Sequence, residues 1–187
     1  KDSDAWVRRP GRDGCNVAYM AHGYFGYQLL GLNIHDAQVC LDYLQSLPEV
    51  QPNRLGMIGC SLGGTMTAYV SALDERVKVA VPACYLFTLK DALTVRKMNT
   101  CGAQFPFGLL KHGDIADVFG LIAPRPCMVQ IGKKDPTFVY EDAMSAAPHL
   151  ERIYRAAGAK EQLSIHDFDG VHEIDVPAAV AFFRKRL

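Results

Sequence analysis

Four short apolar runs punctuate the chain, at residues 55–58, 77–81, 127–131 and 163–168. Each is bounded by Gly, Pro or charged turn residues and is short enough for a buried strand. Between them the apolar spacing turns helical. Over residues 33–47, Ile34, Val39, Cys40, Tyr43, Leu44 and Leu47 follow a helical period, and Pro48 and Pro52 end the segment. A helix is expected directly after residue 63. Another covers 143–157, with Leu150, Ile153 and Tyr154 inward and Glu151, Arg152 and Arg155 outward. The last starts at Asp175-Val176-Pro177, with Val180, Phe183 and Leu187 as its inner stripe. Residues 82–120 are irregular and rich in aromatics, Gly and Pro, with short helical pieces near 87–96 and 115–121. Residues 1–16 read as loop, 17–21 fit either a short strand or a turn of helix, and the glycine-aromatic stretch 23–27 reads as a loop lining a site. Strands alternating with helices predict a single α/β domain over 1–187, its sheet mostly parallel and its helices on both faces.

Composition narrows this little. The 187 residues suffice for one domain with a sizeable core. Lys+Arg and Asp+Glu both number 20, so no charge excess points to nucleic acid or an anionic membrane. No apolar run approaches a transmembrane length. Cys15, Cys40, Cys60, Cys84, Cys101 and Cys127 show no C-x-x-C spacing, which argues against a zinc site. Several lie in apolar segments, as reduced buried thiols do. With no signal-like apolar region after Lys1-Asp2-Ser3-Asp4, a reducing, cytoplasmic location is the expectation.

The chemistry concentrates where the first apolar run meets the following helix. Gly59-Cys60-Ser61-Leu62-Gly63 is a G-x-S-x-G between a strand and a helix, the context of a nucleophile elbow. Ser61 holds the apex, where a strained backbone demands small neighbours two residues away on each side. Gly59 and Gly63 meet that demand, and Gly64 lets the helix approach the sheet. Cys60 is the rival nucleophile, but its flanking positions would be Ile58 and Leu62, both bulky.

A serine hydroxyl needs a base to take its proton and a carboxylate to orient that base. In parallel sheets active groups collect at the carboxyl ends of strands. Asp135 follows the third run and His172 the fourth, each in a Gly-containing turn, giving the chain order Ser61, Asp135, His172. His166 lies inside a strand, His35 and His149 on helices, and His112 in the irregular segment. His22-Gly23 is a decoy, because such a pair can mark an oxyanion loop. Asp167 and Asp169 flank the last strand, as surface residues or as supports of the His172 loop. Asp114, Asp117, Glu141 and Asp142 are most simply solvated. The backbone N–H of Leu62 is the expected first oxyanion donor. The sequence offers no convincing second donor.

These motifs, with Ala72-Leu73-Asp74-Glu75-Arg76-Val77 and Leu121-Ile122-Ala123-Pro124-Arg125-Pro126, resemble the acetyl xylan esterase-like and dienelactone hydrolase-like group of α/β-hydrolases. The resemblance extends from about Cys15 to the C-terminus. It implies a serine hydrolase of carboxylic esters with small, acetyl-type acyl groups, using neither cofactor nor metal. Alternatives are an oligopeptidase-type serine peptidase and a non-catalytic binding protein of the same fold. For a small ester, residues 82–120 should cap the site with Phe87, Phe105 and Phe107.

Members of the resembling group carry further strands before this point, and here they are missing. The elbow strand is therefore expected at a sheet edge. An N-terminal segment or a second chain would then complete both the sheet and the oxyanion hole.

Overall fold

The computed structural model describes residues 12–95 and 101–187. Its strands are β1 (Leu55–Cys60), β2 (Val77–Ala83), β3 (Cys127–Gly132) and β4 (Leu163–Phe168). Its helices are α1 (Arg12–Tyr24), α2 (Leu29–Ser46), α3 (Leu62–Leu73), α4 (Leu89–Thr94), α5 (Ile115–Gly120), α6 (Tyr140–Ala156) and α7 (Val176–Arg186). The four strands pair in parallel in the order β1-β2-β3-β4. Because spatial order follows chain order, right-handed crossovers place every connecting helix on one face. There α2, α3, α5 and α6 pack side by side over the larger core. On the other face, α7 lays Ala179 and Phe182 over Val79, Val81 and Met128. Both faces are covered, as the alternation of elements predicts, but unequally.

Burial along the strands follows from this layout. Every residue of β3 is buried, the pattern of an interior parallel strand. Among the described residues β1 pairs only with β2, so the elbow strand sits at an edge as expected, and Ile58 is 41% exposed there. Arg125, from the Leu121–Pro126 element, clamps the crossover at its base. Its guanidinium donates to the carbonyls of Asp74 (3.1 Å), Val77 (2.8 Å) and Ser71, where α3 turns into β2, while the Tyr154 hydroxyl donates to its carbonyl (3.1 Å).

Three expectations are corrected. The stretch from residue 12 through Tyr24 is one helix, where loop was expected up to residue 16 and from 23 and where 17–21 take the helical of their two alternatives; His22 lies in its last turn with Nδ1 donating to the Ala18 carbonyl (2.7 Å). Tertiary contacts decide this: the Asn16 side chain accepts from the Gly102 N–H (2.8 Å) and the Tyr19 ring meets Phe107 (5.3 Å). Helix α2 starts at Leu29 and buries Leu30, Ile34 and Leu41, leaving Val39, Cys40, Tyr43 and Leu44 exposed. On α7 the inner stripe begins at Ala179 and Phe182, while Val180 is exposed.

Candidate active site

The backbone at Ser61 has φ 60° and ψ −117°, a conformation L-residues adopt only under constraint. The constraint is steric. A Cβ on Gly59 would lie 2.4 Å from backbone atoms of Gly63, and one on Gly64 would lie 2.4 Å from the Ala83 carbonyl oxygen. Gly63 is different: a Cβ there meets nothing within 4 Å, so only one of the two flanking positions has to be bare. The Ser61 N–H donates to the Ala83 carbonyl (3.1 Å), tying the turn to β2. Leu62 is the first residue of α3, so its N–H has no acceptor within the helix and points from the positive end of the dipole. Cys60 ends β1, and burial raises its thiol above the ordinary range, which disfavours the thiolate a cysteine nucleophile needs.

On the far side of the sheet axis, the turn after β3 and the loop after β4 are laced by backbone bonds. The N–H of Lys133 donates to Phe168 (2.9 Å) and that of Lys134 to Gly170 (2.9 Å). A Cβ on Gly132 would lie 2.2 Å from the Val171 carbonyl oxygen, so the two segments touch backbone to backbone. This closeness joins Asp135 and His172: Nδ1 of His172 donates to Oδ2 of Asp135 at 2.7 Å. The Asp135 side chain is 1% exposed, and its Oδ1 accepts from the N–H groups of Thr137 (2.7 Å) and Phe138 (3.0 Å). The Phe138 ring stacks on the imidazole at 5.8 Å and 14°. Beneath the loop, fully buried Gln130 exchanges two bonds with the backbone of Asp175 (2.9 and 3.0 Å), fixing where α7 starts.

Ser61 therefore lies at the same carboxyl end of the sheet as an assembled Asp135–His172 pair. Among the described residues its hydroxyl makes no hydrogen bond to His172. Ser61 and Leu62 line a cavity of about 150 Å³ with Cys15, Cys101, Gln104, Thr137 and Phe138. The cap forms from other residues than expected. Phe87 is buried in the core, where it packs on Phe105 and Phe138, and Phe105 and Phe107 line a separate cavity of about 660 Å³ with Tyr19 and Leu93.

Other histidines and acids have structural partners. His166 donates to Asp175 (2.8 Å) and His149 to Asp117 (2.6 Å). Asp114 and Asp117, expected in solvent, build the capping box of α5, and Asp114 also accepts from the N–H groups of Leu89 and Lys90. Asp142 is buried rather than solvated. Asp167 pairs with Lys133 (3.0 Å) and Asp169 with Lys134 (2.7 Å), supporting the His172 loop from outside. Cys84, which the sequence marks only as one of six thiols without paired spacing, directly follows β2 at the carboxyl end of the sheet. The rule that selected Asp135 and His172 would have found it.

Parallel strands in chain order with a strained serine between β1 and α3 place the fold. Residues 29–108 match the model of the dienelactone hydrolase family. The chain has the fold of the α/β-hydrolases. It is similar to YtaP of Bacillus subtilis, a protein assigned by name as a hydrolase, with 33% identity over 137 residues. That match covers 73% of this chain and 46% of YtaP. Among solved structures, a Bacteroides fragilis protein assigned as an acetyl xylan esterase superposes with a TM-score of 0.75 at 14% identity, covering 91% of this chain and 52% of its own. A glucuronoyl esterase from Caldicellulosiruptor kristjansonii gives 0.63 at 19% identity, covering 82% and 49%. At these identities the structural likenesses bear on the fold. The chain spans about half the length of the relatives it matches. No helix among its described residues is long and apolar enough to cross a membrane.

Proposed function

We propose that this chain carries the reactive centre of a carboxylic ester hydrolase acting on small, acetyl-type esters. The observation that carries the reading is the half-buried 2.7 Å bond from His172 to Asp135, at the same sheet end as Ser61. Asp135, held by two backbone donors, fixes the tautomer in which Nε2 is free to accept a proton, and it stabilises the imidazolium that results. Substrate brings Ser61 and Nε2 into contact, since catalytic hydrogen bonds commonly tighten only in the complex. Nε2 takes the hydroxyl proton as Oγ attacks the acyl carbon. The oxyanion forms at the Leu62 N–H, a type of donor worth roughly 3–4 kcal/mol to the transition state. Imidazolium returns the proton to the departing alcohol, and water, activated by the same base, releases the acid from Ser61. A cavity of about 150 Å³ beside Ser61 suits a short acyl group.

The test uses the full-length protein with p-nitrophenyl acetate and an aminoacyl-p-nitroanilide. Ester hydrolysis that falls roughly 10³-fold or more in Ser61→Ala is expected. Faster anilide cleavage favours a peptidase. Ester turnover unchanged in Ser61→Ala overturns the assignment.

A further inference from the structure

Two thiols and the candidate base converge at the carboxyl end of the sheet. Cys60 is the last residue of β1, and Cys84 follows β2, one residue beyond the register partner of Cys60. Cys84 has φ 53°, a left-handed conformation rare for cysteine, which turns its side chain toward the His172 loop. Its N–H is anchored on the Gln130 carbonyl (3.0 Å), and its thiol donates to the Glu173 carbonyl (3.4 Å). The two Sγ atoms and a ring nitrogen of His172 all lie within 4.8 Å of one another. A tetrahedral zinc-like ion, with bonds of about 2.3 Å to sulfur and about 2.0 Å to nitrogen, needs ligand separations of about 3.5–3.8 Å, so small side-chain shifts bring the three ligands into place. His172 also has a carboxylate on its ring, the arrangement that orients histidine ligands in metal sites.

We propose that Cys60, Cys84 and His172 form a reversible site for a thiophilic divalent cation, and that filling it silences the centre. On binding, both thiols release their protons to solvent, and two thiolates and the imidazole each donate a lone pair; nothing is oxidised or reduced. A fourth position stays open to water. The imidazole that would take the Ser61 proton is then occupied by the metal, a consequence that rests on the hydrolase reading above. Ligands from the ends of three different strands have no sequence spacing, so a search for paired cysteines passes over them.

The experiment titrates the full-length, metal-free protein with Co²⁺ and follows the thiolate-to-cobalt charge-transfer band and the visible bands of tetrahedral cobalt. One equivalent should give both. Cys60→Ser and Cys84→Ser should each weaken binding more than tenfold, with Cys40→Ser and Ser61→Ala retaining it. Zn²⁺ should displace cobalt, suppress ester hydrolysis and be reversed by a chelator. In the unaltered protein, Zn²⁺ should also slow alkylation of Cys60 at least tenfold while leaving exposed Cys40 unaffected, a readout independent of how the variants fold. Absence of the thiolate band, full binding in either cysteine variant, or unprotected Cys60 overturns the site. Cobalt binding without ester hydrolysis keeps the site and removes only its inhibitory role.

Discussion

The two halves of the candidate centre are held in place by different forces. Ser61 is set by exclusion: β1 and α3 approach so closely at Gly59 that the chain has one way to turn, and the serine takes the strain. Asp135 and His172 are set by attraction, through backbone bonds between two loops, a buried carboxylate with two amide donors, and Gln130 beneath. The first half rests on a strand that is open along one edge among the described residues, the second on two strands, β3 buried throughout and β4 half-buried at the opposite edge. A local steric constraint needs few tertiary partners, whereas a hydrogen-bonded loop pair needs its neighbours. The elbow should therefore fail abruptly with a single methyl group, and the acid–base half by degrees.

Substitutions can break this contrast. The largest effect is expected from Gly59→Ala, because its new Cβ meets backbone rather than a movable side chain. A loss of roughly 3 kcal/mol or more in denaturant melts is expected, and wild-type stability would refute the close approach. Gly132→Ala comes next, at about 2–3 kcal/mol, because its Cβ would press on the Val171 carbonyl. It should also part the His172 loop from Asp135, so ester turnover falls more than stability does. An equal fall in both would mean the loops are not joined as described.

Acid sharpens the comparison more gently. The hydrogen bond from His166 holds the Asp175 carboxyl below its ordinary range. A depressed carboxyl gives stability that is fully present above the unfolded value near 3.9 and is lost as pH falls below that toward the folded value. Acid unfolding monitored by circular dichroism should show this loss in the wild type and not in Asp175→Asn, whereas melts of the elbow variants should keep the wild-type dependence. The smallest effect belongs to Gly63→Ala. With open space around the added methyl, it should be neutral or stabilising by up to about 1 kcal/mol, opposite in sign to Gly59→Ala four residues away.

The sequence by itself determined the four strands, their parallel pairing, the tight turn at Ser61 and the two residues that meet as the Asp135–His172 pair. Each depends on short-range pattern: apolar runs too short for helices, glycines around a serine, and turn residues at strand ends. Tertiary structure decided what pattern cannot carry. Helix α1 forms on Tyr19 and Asn16 contacts with a distant segment, despite glycines and no clear apolar stripe. The inward side of α2 is chosen by what α3 offers it, so Leu30 is buried while Val39 and Tyr43 stay exposed. Phe87 became core instead of cap because it packs edge-on against Phe105 and tilted against Phe138. Cys84 met Cys60 and His172 only through strand pairing and a left-handed backbone turn. The physical reason is one of range: periodicity and turn chemistry act within a few residues, whereas the partner of a side chain at a strand end is fixed by register between strands far apart in the chain.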